Sequence, residues 1–501
     1  MSELKDQQAR NRIEKDALDC NMVVLAGAGA GKTHELVERM VNYVCTVSSQ
    51  IDRVAAITFT RKAAGEMRGR FLLRLQERLA QAEGPEAERL QEALDRVDQC
   101  FIGTIHSFCG QLLRERPIEA GIRPDFTELD QREETRLSRQ VWNEFVQQCF
   151  ETDDPRPEVL EGLGLRPNDL HLFFNQRGQF SDLKLKDLPV EKPVLEGAVR
   201  DALRFMDEVA AHLPDPLPEG PDDFIEVFEK ARRFVAHGKL ESDQEQATFL
   251  NILHGLEKKE FVLKRWAPNQ KFAKALKSEL RDEFVERVTG PALTKWRQYV
   301  YSHVVPFIND AVAFYDQKRL ATGSMTFQDL LLRAKDLLRD HPQVRRYFQS
   351  RYQSLFVDEF QDTDPIQAEL LIYLTGEDTE EKNWLNLDPK PGSLFIVGDE
   401  KQSIYRFRRA DVETFRLVGQ RLEATEGRIE QLNTSFRSLG RLCGWVNDAF
   451  EPLFGGFEPQ HQAEFAPMLQ FKDDGQDACC VRQISLDRVY RHSRNTIVEE
   501  E

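Results

Sequence analysis

The sequence predicts an α/β fold: a parallel sheet with a phosphate loop at one strand end and a long helical insertion. Three observations carry this. An apolar run at 22–25 (Met-Val-Val-Leu) enters the glycine-rich turn Gly27, Ala28, Gly29, Ala30, Gly31, and Leu36, Val37, Met40, Val41 and Val44 then recur at helical spacing. Four more short apolar or β-branched runs, at 54–59, 100–105, 354–357 and 394–397, each end in polar or charged residues. Between about 113 and 322 the strand–helix rhythm stops, and a segment too long for a loop reads as an inserted helical domain.

The first unit is a strand, glycine loop and helix, the architecture of a triphosphate cradle. Glycines let backbone N–H groups turn inward, and the helix N-terminus adds partial positive charge where phosphate sits. Lys32 can reach the β- and γ-phosphates and Thr33 can offer its hydroxyl to Mg²⁺. The first position of the strict G-x-x-x-x-G-K-[ST] pattern is Ala26. About one helix earlier stand Gln7 and Gln8. An amide both donates and accepts, as an adenine edge requires, although the stretch alone reads as a polar helix start.

The second run leads to Thr60, a helix N-cap, so Phe59, Arg61 and Lys62 fall at a strand-to-helix junction. A ring beside two cations suits single-stranded nucleic acid; a buried Phe before a solvated helix start is the bland alternative. The third run ends in His106, without the Ser/Asp partners of a catalytic base, and reads as a polar loop contact or a structural histidine.

Within the insertion, proline-rich residues 213–221 mark a break. Lys258, Lys259, Lys264, Arg265, Lys271, Lys274 and Lys277 there surround Phe261, Trp266 and Phe272. Cations and interleaved rings suit a nucleic-acid surface. Acids among them (Glu257, Glu260, Glu279, Asp282 and Glu283) suit an ordinary solvated helix face equally.

The run at 354–357 ends in Asp358 and Glu359. Asp358 is placed to hold Mg²⁺ and Glu359 to orient and deprotonate an attacking water, which fits hydrolysis better than transfer to a small acceptor. After 394–397, Gln402 is a neutral, bifunctional sensor for a γ-phosphate, and Tyr405 and Phe407 alternate with Arg406 and Arg408. Arg437, after a further run, is a candidate partner for phosphate charge.

The chain has 501 residues and a net charge of −17, which disfavours a uniform nucleic-acid coat but allows a local basic groove. No run is long enough to span a bilayer, and the N-terminus lacks an apolar signal core. Eight scattered cysteines form no C-x-x-C pair, and adjacent Cys479 and Cys480 suit a disulfide poorly. A cytoplasmic setting is expected.

Taken together, residues 26–33, 58–67, 103–108, 357–363, 398–411 and 433–438 resemble motifs I, Ia, Ib, II, III and IV of the UvrD/Rep-like superfamily-1 helicases, in that order. Lys401-Gln-Ser-Ile-Tyr-Arg-Phe-Arg408 is most similar to the RecB/AddA helicase–nuclease branch, and Ala at position 26 is common in the family. The resemblance implies a RecA-like domain 1A over 1–112 and 323–438, a helical domain 1B over 113–322, and the start of a second RecA-like domain, 2A, over 439–501. It implies ATP and Mg²⁺ as cofactors, and translocation, typically 3′ to 5′, on single-stranded DNA or a duplex with a single-stranded tail, in recombination or break repair. A nuclease or helicase partner subunit is implied, and no membrane.

By the same resemblance, Lys32, Thr33, Asp358, Glu359, Gln402 and Arg437 serve the nucleotide, with Gln7 or Gln8 at adenine. His34 stands where the UvrD branch often has Arg. Phe59, Arg61, Lys62, His106, Tyr405, Phe407 and Arg408 lie along the DNA path. Motifs V and VI and a nuclease motif are not found, so the expectation is the N-terminal part of a longer protein or a shortened relative that needs a partner. The rival readings are a non-hydrolysing subunit for DNA binding or assembly and, more weakly, a P-loop kinase.

Overall fold

The computed structural model describes residues 4–47, 50–180, 182–183, 185–186, 189–213, 222–238, 240–259, 262–266, 268–454 and 463–472. Phe261, the proline-rich residues 214–221, the Cys479–Cys480 pair and the acidic end at 499–501 lie outside these. In chain order the first strands are β1 (Met22–Ala26), β2 (Val54–Thr58), β3 (Phe101–Thr104), β4 (Thr127–Glu128) and β5 (Ser324–Met325). Then come β6 (Ser354–Val357), β7 (Leu394–Gly398), β8 (Arg428–Leu432), β9 (Thr434–Leu439) and β10 (Leu469–Lys472).

The chain divides into two compact units, one holding the described residues up to Phe126 and from Phe327 on, the other Thr127–Thr326. The break falls later than 113 and 322, where the sequence rhythm changes. The helix Ile105–Glu115 carries the first unit past β3, packing Phe108, Leu112 and Leu113 inside it.

In the first unit six strands form one parallel sheet in the order β3-β2-β6-β7-β1-β8. Each run expected from the sequence is a strand of it. The strands are apolar almost throughout because helices cover both faces, as parallel sheets require. On one face Met22, Val24 and Ala26 share a core with Leu36, Met40 and Val44 of α2 (Lys32–Thr46) and with Met67, Phe71 and Leu75 of α3 (Arg61–Leu79). Burying each of these larger apolar side chains contributes roughly 1.5–3 kcal/mol. A short helix, α1 (Gln7–Asn11), precedes the sheet. Thr60 caps α3, its Oγ1 accepting from the Ala63 N–H at 3.1 Å. After β8 the chain leaves the sheet, and β9 pairs instead with β10, in parallel.

Among its described residues the second unit is helical apart from loops and the short β4–β5 pair. Its longest helix, Gly290–Thr322, contains Pro306. Here the basic, aromatic stretch resolves towards the solvated-face reading. Trp266 is fully buried in the core, and Phe272 stacks on His212 with ring centroids 3.9 Å apart. Lys271 and Lys274 are exposed, but Trp266 lies inside the core and Phe272 packs, half-buried, against it.

Candidate nucleotide and DNA site

β1 delivers the phosphate loop to the C-terminal edge of the sheet, where parallel α/β folds place ligands. The Gly27 N–H donates to the Leu432 carbonyl at 3.0 Å, anchoring the loop's start to β8. Gly29 and Gly31 have φ of 77° and 89°, left-handed values that only glycine adopts cheaply. Space also dictates glycine at 29, where a Cβ would sit 2.7 Å from the Arg437 Cβ and 2.8 Å from the Ser435 Oγ of β9. Ala26 and Ala30 are buried, whereas Ala28 is exposed at the loop's tip.

Beyond the loop, α2 presents Lys32 and Thr33 to the end of β6. Lys32 Nζ donates to Glu359 Oε2 at 2.8 Å and lies 3.4 Å from Gln402 Oε1. Thr33 Oγ1 donates to Asp358 Oδ2 at 3.1 Å. Burial, then the neighbouring charge of Glu359, pushes the Asp358 carboxyl up to about 6. Asp362 is raised to about 6 for the same two reasons. A buried carboxylate beside a hydroxyl is a hard oxygen donor set of the kind Mg²⁺ takes, so Thr33 and Asp358 fit that ion.

Glu359 has φ 55°, left-handed for a residue that disfavours it, a departure of the kind that clusters at functional sites. Gln361, which lies within the 357–363 motif but has no role assigned from the sequence, fixes its carboxylate: its Nε2 donates to Glu359 Oε2 at 2.6 Å. The Gln361 Oε1 meanwhile accepts from the Asp399 N–H at 2.9 Å, and its carbonyl from Ser403 Oγ at 3.0 Å. One amide thus links the segment after β6 to the segment after β7. Asp399 in turn accepts from Gln402 Nε2 at 2.8 Å, aiming that side chain at Lys32.

Other expected residues stand at the margin. Arg437 is exposed on β9 beside the loop, and exposed His34 lies 4.0 Å from Glu38. On α1, Gln7 Nε2 donates to Asn11 Oδ1 at 3.1 Å, while Gln8 is exposed. The geometry does not choose between them.

Three residues past Gln402, the same segment becomes aromatic. The Phe59 and Tyr405 rings lie 5.2 Å apart, and Tyr405 and Phe407 5.7 Å apart, so strand β2 and the segment after β7 build one row. The Arg408 guanidinium lies 5.4 Å from the Tyr405 ring centroid and 5.9 Å from that of Phe407. Phe407 is 74% exposed, a large area for a ring to leave in water. Arg61 and Lys62 are exposed in the first turn of α3, with Lys62 3.9 Å from Glu66. His106 packs edge-on against Phe327, centroids 5.2 Å apart; nothing local in the sequence joined these two. Between α3 and β3 lies a hollow of about 450 Å³ lined by Arg61, Arg68, Thr104, Ser107 and Gln111.

Residues 5–423 match the family model of the UvrD/REP helicase N-terminal domain. The chain belongs to the UvrD/REP helicase family. Within it, the chain is 26% identical over 489 residues to an ATP-dependent helicase/nuclease subunit of Syntrophomonas wolfei, covering 87% of this chain and 37% of that protein. It is 24% identical to the protein of the same name in Pediococcus pentosaceus, covering 90% and 39%, and 28% identical to that in Alkaliphilus oremlandii, again covering 90% and 39%. It therefore spans less than two-fifths of the length of these curated relatives. The UvrD/REP match accords with the motif order read from the sequence and with the RecA-like sheet. Among the described residues no helix is long and apolar enough to cross a membrane.

Proposed function

We propose that this chain carries the nucleotide-binding part of an ATP-dependent DNA helicase that moves along single-stranded DNA, 3′ to 5′, in recombination or double-strand-break repair in the cytoplasm. The observation that carries the reading is the single segment after β7, which touches Lys32 through Gln402 and three residues later supplies Tyr405 to the aromatic row. A change at the γ-phosphate therefore has a short covalent path to a base-stacking surface. The relatives' name, helicase/nuclease subunit, supports both a nuclease activity and a partner chain in the assembled protein.

In this scheme the backbone of residues 27–31 wraps the phosphates and Lys32 leaves Glu359 to neutralise them. Gln7 or Gln8 reads the adenine, and Arg437 approaches from β9. Thr33 and Asp358 would hold Mg²⁺, which would supply charge neutralisation at the triphosphate. Glu359, fixed by Gln361, orients the attacking water and takes its proton.

The test is titration of Mg·ATP into the 501-residue polypeptide, with phosphate release followed with and without single-stranded DNA. Measurable binding is expected, at least tenfold weaker in Lys32→Ala. Little DNA-stimulated hydrolysis is expected from these 501 residues alone, because Arg437 is the one arginine this scheme brings to the phosphates and a further arginine at the transition state is worth about 10³–10⁵-fold in rate. Absence of ATP binding, or binding indifferent to Lys32→Ala, would overturn the nucleotide assignment. Robust DNA-stimulated turnover would overturn the need for further charge.

A further inference from the structure

Against the phosphate loop sits a buried cluster with no part in the scheme above. Arg10 of α1 is 3% exposed and surrounded on every side. Its Nε and Nη2 donate to the two carboxylate oxygens of Asp6, both at 3.1 Å, and its Nη1 pairs with buried Glu35 in the first turn of α2. Nη2 also donates to the carbonyl of Ala30, inside the phosphate loop, at 3.1 Å. The flat face of the guanidinium lies 4.9 Å from the ring centroid of Phe436 on β9.

The same strand is tied to the loop by its backbone. The Phe436 N–H donates to the Gly29 carbonyl at 2.9 Å, and Asp6 Oδ2 accepts from the Thr434 N–H at 3.0 Å. A cradle that points its N–H groups at phosphate must point its carbonyls outwards. Here two consecutive outward carbonyls, Gly29 and Ala30, are held, one by β9 and one by a side chain that itself packs on β9. The next residue on that strand is Arg437.

We propose that Arg10 is a positioning residue that ties the shape of the phosphate loop to the position of β9, so that closing the loop on a triphosphate and bringing Arg437 towards it are one movement. The inference rests on the nucleotide reading above and goes beyond it by assigning the coupling to a residue outside every motif. Only arginine meets the geometry: a planar fork satisfies carboxylates and a carbonyl at its edge while leaving a face for the ring, which an ammonium cannot do. Arg10→Ala is not the variant to use, since it leaves two buried carboxylates without their cation.

Arg10→Lys keeps the charge but loses the ring contact and the hold on Ala30. Phe436→Leu keeps every hydrogen bond and loses only the ring. Calorimetric titration of the 501-residue chain with Mg·ATP and with Mg·ADP separates coupling from mere loop damage, because only the triphosphate reaches towards Arg437. Each variant should lose about tenfold in ATP affinity and less than threefold in ADP affinity. The double variant should lose no more than the worse single one, as residues acting through one contact do. Equal losses for ATP and ADP, losses that multiply in the double variant, or no loss at all would overturn the coupling. Failure of the unaltered chain to bind ATP would instead overturn the nucleotide reading on which it stands.

Discussion

Replacing Glu359 by Gln should tighten nucleotide binding while crippling the chemistry. Lys32 Nζ lies 2.8 Å from Glu359 Oε2, with the lysine side chain 11% and the glutamate side chain 34% exposed. Phosphate must compete with this carboxylate for the ammonium. A hydrogen bond between charged groups nets about 1.5–3 kcal/mol when buried, while exposed ion pairs give about 0–1. With a third of the glutamate in water, about 1 kcal/mol is the reasonable share, or roughly fivefold in affinity. The amide keeps the carbonyl that accepts from Gln361, so the local geometry survives. Loss of a positioned general base typically costs about 10²–10⁴-fold in rate. Calorimetry with Mg·ATP reads the first effect and single-turnover phosphate release from the assembled enzyme reads the second. Weaker ATP binding by Glu359→Gln would refute the competition argument, and wild-type turnover would refute the base assignment.

Two further outcomes follow from the same geometry. Phe407→Ala should cost roughly 1–3 kcal/mol of single-strand affinity, alike for all sequences because every base has a π-face; fluorescence titration with homopolymers of different bases checks this, and unchanged affinity would remove the ring from the interface. Asp362→Asn should raise the melting temperature above pH 6. The Asp362 carboxyl is raised to about 6 in the folded chain, above its value when unfolded. Its contribution to stability is thus complete below about pH 4 and is lost as pH rises through 6, so the melting curves of variant and wild type should converge in acid.

What the sequence made legible was local. A glycine turn after an apolar run, a lysine and threonine at a helix start, and two acids at a strand end announce themselves within ten residues. The structure brings Lys32, Thr33, Asp358, Glu359 and Gln402 to within 3.4 Å of a neighbour in that set. What stayed hidden depends on tertiary contact. Gln361 sits inside a motif, yet its role lies in reaching Asp399; Phe327 meets His106 from across the insertion in sequence; Arg10 acts through Ala30 and Phe436. The stretch around Trp266 shows the converse. Cations spaced along a helix look the same whether the rings between them point outwards or, as here, into a core.

The strand order β3-β2-β6-β7-β1-β8 has a consequence for how the protein is made. β1 and β2 are synthesised early but are not neighbours; the two strands that belong between them come after the insertion. β6 begins about 250 residues after β3 ends, which at about 5–20 residues per second occupies a ribosome for roughly ten seconds to a minute. Throughout that interval one edge of β2 has no partner, and such an edge is a template for aggregation. The helical unit, whose contacts are largely its own, is complete before the sheet can close. A nascent chain halted anywhere between β3 and β6 therefore holds a phosphate loop without the acids that would face it.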